Sequence, residues 1–379
     1  MSKIIQFIKK QIVLAIAALL AIVSMAFIPP DMQYFSYLDY SVLGILFCLM
    51  VVVAGFMEQN LFDYISAALA AKSKNIKTLS VLLVNCVFVS SMFVTNDVTL
   101  IAFVPITILI FRNVRQEKLI FIIVMETIAA NMGSMMTPVG NPQNLYLYSY
   151  FHIHIFDFLK ILFPAGLIGY LIIMGIMLAS KNDGTELAVE QHLEQHSIKQ
   201  MSAGPKERAM LLYYAALFIL CILTVLNIID YKICFLLVLL SIIFLNRRLL
   251  KKVNYGLLIT FVSFFVFAGN VERMNVIKLE LSNFISGRAF ILSVLSSQII
   301  SNVPAAMMIS RLTNDARGIL LGVNIGGLGS PVASLASLIS FGLYSRSSGA
   351  EAAKYWRVFT LYNMSILAFL AVVFSLYLN

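Results

Sequence analysis

The sequence predicts an all-α polytopic membrane protein built as an inverted-topology repeat, with two re-entrant helical hairpins and two interrupted transmembrane helices. Three observations predict it. Of the 379 residues 60% are hydrophobic and 12% charged, with a mean hydropathy of +0.92, a balance that no water-exposed surface can carry. Apolar runs recur at the length a bilayer requires, and one short motif occurs twice, once in each half of the chain. The same figures exclude disorder, a collagen-like repeat, a disulfide scaffold and a cytosolic enzyme. Although the net charge is +9, the basic residues fall in short clusters between apolar runs, where they orient spans; no nucleic-acid partner is expected.

A hydrocarbon core about 30 Å thick needs roughly 20 apolar helical residues. Runs of that order lie at 11–28, 41–57, 119–149, 160–179, 209–229, 232–246, 255–271, 317–343 and 355–377. The first follows Lys3, Lys9 and Lys10 and precedes Pro29-Pro30, so it reads as a retained span and not as a signal sequence. Two further stretches, 78–111 and 289–311, carry a polar dipeptide near the middle, Thr95-Asn96 and Ser301-Asn302. Broken polar backbone is tolerated at membrane depth only where protein or a water-filled cavity surrounds it, so both are expected to dip in and return. Stretches 60–71 and 274–285, ahead of the hairpins, are short and amphipathic and are expected along the membrane surface. Lys181 to Arg208 is the hydrophilic linker, with a short helical piece around Glu186 to Gln200, dividing a first repeat, 1–180, from a second, 209–379.

With the amino terminus in the cytoplasm and neither hairpin crossing, most of the 27 basic residues face inward, among them Lys72, Lys77, Arg112, Arg115, Arg247 and Arg248. The carboxyl terminus then lies outside. Reading from Asn131 the chain runs N-M-G-S-M-M-T-P-V-G-N, and from Asn324 it runs N-I-G-G-L-G-S-P-V-A-S, aligned without a gap. Each copy follows a hairpin, and the two hairpins enter from opposite sides. Secondary transporters with this arrangement place a solute near the midplane, between the halves.

The chemistry-bearing residues cluster at these interruptions. At the tips, helix ends leave backbone groups unpaired, and hydroxyl and amide side chains complete a cation shell or donate to an anion. Thr95, Asn96, Ser301 and Asn302 are therefore candidate solute ligands, with sodium as a possible bound ion. Asp97 is the sharpest residue, because a carboxylate at membrane depth is costly and normally faces a cavity, an ion or a partner; capping of the following half-helix is its bland alternative. In the breaks, Asn131, Gly133, Thr137, Pro138, Gly140, Asn141 and Asn144, with Asn324, Gly326, Ser330 and Ser334, combine close backbone approach, missing helical hydrogen bonds and polar side chains. Small residues at such places also serve close helix packing. Glu126, seven residues before Gly133, is either a proton site or an interfacial partner of Arg112 or Arg115. The four cysteines read as apolar core residues. His152 with His154 and His192 with His196 lack a third metal ligand, and Arg311 and Arg317 read as interfacial anchors.

The motifs T-N-D-V-T-L-I-A-F-V-P from Thr95, G-S-M-M-T-P-V-G-N-P-Q-N from Gly133, S-Q-I-I-S-N-V-P-A-A from Ser297 and G-V-N-I-G-G-L-G-S-P-V-A-S from Gly322 resemble the ion transporter superfamily. That group includes citrate transporter-like permeases, divalent anion:sodium symporters, arsenite permeases and one type of sodium/proton antiporter. The resemblance covers about Val42 to Tyr344. It implies a homodimer whose hairpins and interrupted helices move as an elevator against a scaffold. It also implies two half-sites, Thr95 and Asn96 with the Gly133 to Asn144 loop, and Ser301 and Asn302 with the Asn324 to Ser334 loop. The third tip positions, Asp97 and Val303, depart from the Ser-Asn-Thr of dicarboxylate symporters, and an Asn-Asp pair is more similar to arsenite permeases.

The expectation is an ion-coupled secondary active transporter of a small anion, citrate-like or an inorganic oxyanion, in the cytoplasmic membrane. Symport with a proton or sodium, carried at Asp97 or Glu126, is expected, and no other cofactor. Arsenite export or sodium/proton antiport on the same fold is the alternative. No Walker A sequence occurs, a membrane enzyme lacks its metal or general-base cluster, and discontinuous helices argue against a passive channel.

Overall fold

The computed structural model describes residues 12–73, 75–112, 114–180 and 204–378. The expected helical piece of the linker, with His192 and His196, lies outside the described residues.

The first half runs through α1 (Ile12–Met25), a single turn α2 (Tyr34–Tyr37), α3 (Tyr40–Glu58), α4 (Leu61–Lys72), α5 (Ile76–Phe93), α6 (Asn96–Ile110), α7 (Gln116–Ser134), α8 (Pro142–Tyr150) and α9 (Ile155–Ala179). The second continues with α10 (Pro205–Val225), α11 (Tyr231–Asn246) and its 3₁₀ extension Arg247–Lys252, α12 (Tyr255–Arg273), α13 (Asn275–Ile285), α14 (Ala289–Ile300), α15 (Asn302–Ile309), α16 (Ala316–Ile325), α17 (Leu335–Tyr344) and α18 (Ala352–Leu378). Among the described residues seven helices are long and apolar enough to cross a membrane. Both predicted interruptions are present: residues 119–149 divide into α7 and α8, and 317–343 into α16 and α17.

Side chains of the kind that caps helices start these elements. Asp39 accepts from the Val42 N–H at 3.0 Å to open α3, Asn75 from Thr78 at 2.8 Å to open α5, and Asp315 from Gly318 at 2.8 Å to open α16. α8 begins with the Asn141-Pro142 pair: the Asn141 side chain accepts from the Asn144 N–H at 2.9 Å, and Pro142 occupies a first-turn position where no backbone donor is lost.

Nearly every residue of α7 from Leu119 to Ser134 is buried, as are all of Gly318 to Ile325 on α16. The outer helices instead turn large apolar side chains outward, such as Leu171 on α9, Leu212 on α10, Phe244 on α11 and Leu376 on α18. Such a surface suits hydrocarbon surroundings and not water. The cysteines are thiols: Cys48, Cys221 and Cys234 are buried, and the last two face each other with sulfurs 3.9 Å apart.

The packing of the two halves is reciprocal. α5 lies on α7, and α14 on α16; α6 lies against both α7 and α17, while α15 lies against both α16 and α8. α9 touches α7 and α16, and α18 touches α16 and α7. Interchanging the halves converts each of these contacts into another that is also present. Two glycines allow the first pair of approaches. A Cβ at Gly133 would overlap the Phe88 carbonyl oxygen and the Ser91 hydroxyl of α5, and one at Gly326 would come within 2.9 Å of Ser297 on α14.

Overpacking of this kind costs about 1–3 kcal/mol. Gly133→Ala is therefore expected to lower the thermal unfolding midpoint in detergent. Gly175→Ala, at a helical position with nothing within 4 Å, is expected to leave it unchanged or raise it, since Ala is favoured over Gly by about 0.5–1 kcal/mol in a helix.

Candidate functional site

At each tip, between α5 and α6 and again between α14 and α15, the helix is interrupted with hydrogen bonds left to complete, and the break that follows in the chain takes up the slack. The Asn96 N–H, at the first tip, donates to the Gly140 carbonyl at 3.2 Å. The Asn302 N–H, at the second, donates to the Ala333 carbonyl at 2.9 Å. Gly140 and Ala333 are the matching positions of the repeated motif. Four residues before each tip asparagine a second clamp operates: the Thr137 hydroxyl donates to the Met92 carbonyl, and the Ser330 hydroxyl to the Gln298 carbonyl at 2.9 Å. Thr137 and Ser330 are again matching positions.

Between the halves the asparagines form one buried network. Asn131 Oδ1 accepts from Asn96 Nδ2 and from the Ser334 hydroxyl, both at 3.0 Å. Asn324, its counterpart, accepts from Asn141 Nδ2 at 3.1 Å and donates to Asn144 Oδ1 at 2.6 Å. Asn144 Nδ2 is aimed at the carbonyls of Ser134, Met135 and Thr137, at 3.2–3.4 Å, at and just past the end of α7. Each motif asparagine thus bonds to the other half. Asn131 Nδ2 is buried without a partner among the described residues, an unused donor in a setting where unpaired polar groups are costly.

The second tip carries a strained residue. Ser301 has φ +77° and ψ 155°, a region that costs a residue with a side chain about 1–3 kcal/mol. Its hydroxyl donates to the Ala333 carbonyl at 3.3 Å. Pro304 sits in the first turn of α15. Thr95 precedes α6 but makes no side-chain cap, and Asp97, in the first turn of that helix, is half-buried, with no hydrogen-bond or ion-pair partner for its carboxylate among the described residues. Asp97 joins the asparagine network through its backbone N–H, which donates to Asn96 Oδ1 at 3.0 Å, while its carboxylate stands apart.

Other candidates fall into place differently. Glu126 is fully buried, and its carboxylate accepts from the Thr107 hydroxyl of α6 at 2.6 Å. Among the described residues its partner is Thr107, not Arg112 or Arg115, because Glu126 lies nearly three helical turns into α7, beyond the loop that carries the arginines. Gly133 and Gly326 serve close packing, while the Gly326 carbonyl accepts from Gln298 Nε2 at 2.7 Å. Pro138 is buried within the first break. Arg311 ion-pairs with Glu272 at 3.2 Å, and Arg317 lies over the Tyr377 ring, 4.6 Å from its centroid.

Gln298 was not singled out from sequence. Its amide spans the second break, donating to the Gly326 and Leu328 carbonyls at 2.7 and 3.0 Å and accepting from the Ser330 N–H at 2.8 Å. The signal was its place in S-Q-I-I-S-N, where a glutamine inside an apolar helix needs partners.

Helix breaks that face one another in a buried amide and hydroxyl centre, inside a multi-pass helical protein, define the class of a membrane transport protein. The family described as "Citrate transporter" matches residues 4–322, and the chain belongs to that family. An uncharacterized transporter of Methanocaldococcus jannaschii is 32% identical over 314 residues, covering 82% of this chain and 83% of that protein. The inner membrane protein YbiR of Escherichia coli is 24% identical over 342 residues, 89% of this chain and 87% of its own length. A putative transporter of Dictyostelium discoideum named arsB is 29% identical over 126 residues, 33% of this chain and 22% of its own. The protein is a transporter of a multi-pass membrane family.

Gln298 is half-buried, and removing a hydrogen-bonding side chain there leaves its partners unsatisfied, at about 1–3 kcal/mol. Gln298→Ala is expected to destabilise by that order in detergent unfolding. Gln298→Glu is expected to do so as well, because it trades a donor facing two carbonyls for a charge.

Proposed function

We propose that this protein is an ion-coupled secondary active transporter of a small anion, citrate-like or an inorganic oxyanion, that works by elevator-type alternating access. The observation that carries the proposal is the seating of both hairpin tips on matching carbonyls of the two breaks, around one buried asparagine network. Solute binds between the tips, on Thr95, Asn96, Ser301 and Asn302, with Asn131, Thr137, Gly140, Asn141 and Asn144 from one break and Asn324, Ser330 and Ser334 from the other. Buried amides and hydroxyls can coordinate a sodium ion or donate to an oxyanion, and they release it readily because none carries charge.

In this reading the halves are inverted and the hairpins re-entrant, α5 with α6 from the inner side and α14 with α15 from the outer. The amino terminus is cytoplasmic, the carboxyl terminus external, and the protein a homodimer in the cytoplasmic membrane. The distribution of basic residues supports that orientation. The hairpins, α7, α8, α16 and α17 form the moving unit, which their mutual contacts make a coherent body.

Asp97 supplies the coupling. A carboxylate beside the network repels an anion unless a proton or a sodium ion neutralises it, so cation and anion move together. The same unpartnered carboxylate favours a second reading, sodium/proton antiport or arsenite export, in which Asp97 carries the ion and no anion follows.

Counterflow in proteoliposomes with citrate, succinate, arsenite and sodium separates these readings. Anion exchange stimulated by a proton or sodium gradient is expected; sodium moving against protons with no anion exchanged establishes the second. Asp97→Asn is expected to retain solute exchange while losing its dependence on pH and sodium, and unchanged dependence removes Asp97 from the coupling.

A further inference from the structure

Away from the asparagine network, an apolar groove of about 260 Å³ lies between α1, α12, α13 and the end of α15. Leu20, Val23, Phe267, Val271, Leu281 and Met308 line it. One charged side chain, Arg311, also reaches its wall.

Arg311 belongs to a linked set of ions at the end of α12. Its Nη1 meets Glu272 at 3.2 Å, Glu272 meets Lys278 at 3.2 Å, and Arg273 meets Asp31 at 2.8 Å. Its Nη2 donates to the Tyr37 carbonyl at 3.3 Å, and the Tyr37 hydroxyl accepts from Arg273 at 3.0 Å, which ties the two groups together. This set holds three cations against two carboxylates. Arg311 Nε is buried without a partner among the described residues.

The groove opens among lipid-facing side chains: Leu19, Ile22 and Phe27 on the α1 side, Val276, Leu279 and Phe284 on α13. Apolar walls that lead to an excess of positive charge at a helix end match one kind of ligand, an amphiphile with an acidic head. A second protein chain does not fit, since even a bare helix is about 10 Å across. A free anion would gain nothing from the apolar walls.

We infer that this groove binds the acyl chain of an anionic phospholipid whose phosphate lies at Arg311, Lys278 and Arg273. The chain runs between α1 and α12 and touches Met308 and Leu312, at the end of α15 remote from the second tip, so the lipid joins the arm α15 to the helices beside it. The inference is independent of which solute the protein carries.

The test is native mass spectrometry of the full chain in detergent, offered phosphatidylglycerol and phosphatidylcholine of matched chains in equal amounts. Preferential retention of phosphatidylglycerol is expected. Lys278→Gln, at a partly exposed position, is expected to lower the preference about fivefold, the factor that corresponds to one surface cation. Val23→Trp, which fills the mouth of the groove from the lipid side, is expected to abolish retention. Excess glycerol phosphate is expected to leave the lipid in place. Equal retention of the two lipids, an undiminished preference in both variants, or displacement by glycerol phosphate overturns the assignment.

Discussion

A polypeptide within hydrocarbon has no water to complete its hydrogen bonds, and every interruption of a helix there must find its partners in protein. Among the described residues of this chain, two tips and two breaks interrupt the central helices and complete one another. The tip N–H of Asn96 meets the Gly140 carbonyl, and that of Asn302 the Ala333 carbonyl. Hydroxyls of Thr137 and Ser330 close the other side of each junction. The centre is built from backbone that continuous helices would have used up internally, and for that reason it can be both polar and buried.

The two junctions solve this problem with different means. In the first, Asn141 caps α8 while its amide reaches Ser134 and Asn324, and Asn144 gathers the carbonyls left by α7. In the second, Ser334 stands at the matching position without capping α17 and sends its hydroxyl to Asn131, and the gathering of carbonyls passes to Gln298 on α14. The first tip carries a carboxylate and relaxed backbone; the second carries no charge and a serine in a strained conformation. Matching positions thus have related geometry and unequal chemistry.

Much of this was legible in the sequence because the strongest signals are local. Runs of about bilayer length, Asn141-Pro142 as a helix start and the recurrence of Gly, Pro and Asn in a fixed order need no knowledge of the partner segment. Both interruptions of the long runs fall where Gly, Pro and Asn accumulate, and the family that the motifs resemble is the one to which the chain belongs. What escaped depends on long-range pairing. Whether Glu126 served as an isolated acid or an arginine's partner could not be read from one helix; Thr107 settles its hydrogen bond from across the hairpin. Gln298 looked like one polar residue in an apolar arm until the second break came to lie on it. Gly133 and Gly326 were grouped with the polar ligands, although the missing side chain is what their neighbours Ser91 and Ser297 require.

The reciprocal packing bears on how the molecule is made. Because α6 rests on α17 and α15 on α8, the first half is made before the helices that cover its central surface. Asn141 and Asn144 wait for Asn324, and Asn131 waits for Ser334, across some two hundred residues of later synthesis. During that interval they keep only the partners of their own half: Asn96 for Asn131, Ser134 for Asn141 and the carbonyls past the end of α7 for Asn144. The polar centre is thereby complete only once both halves of the chain have been made.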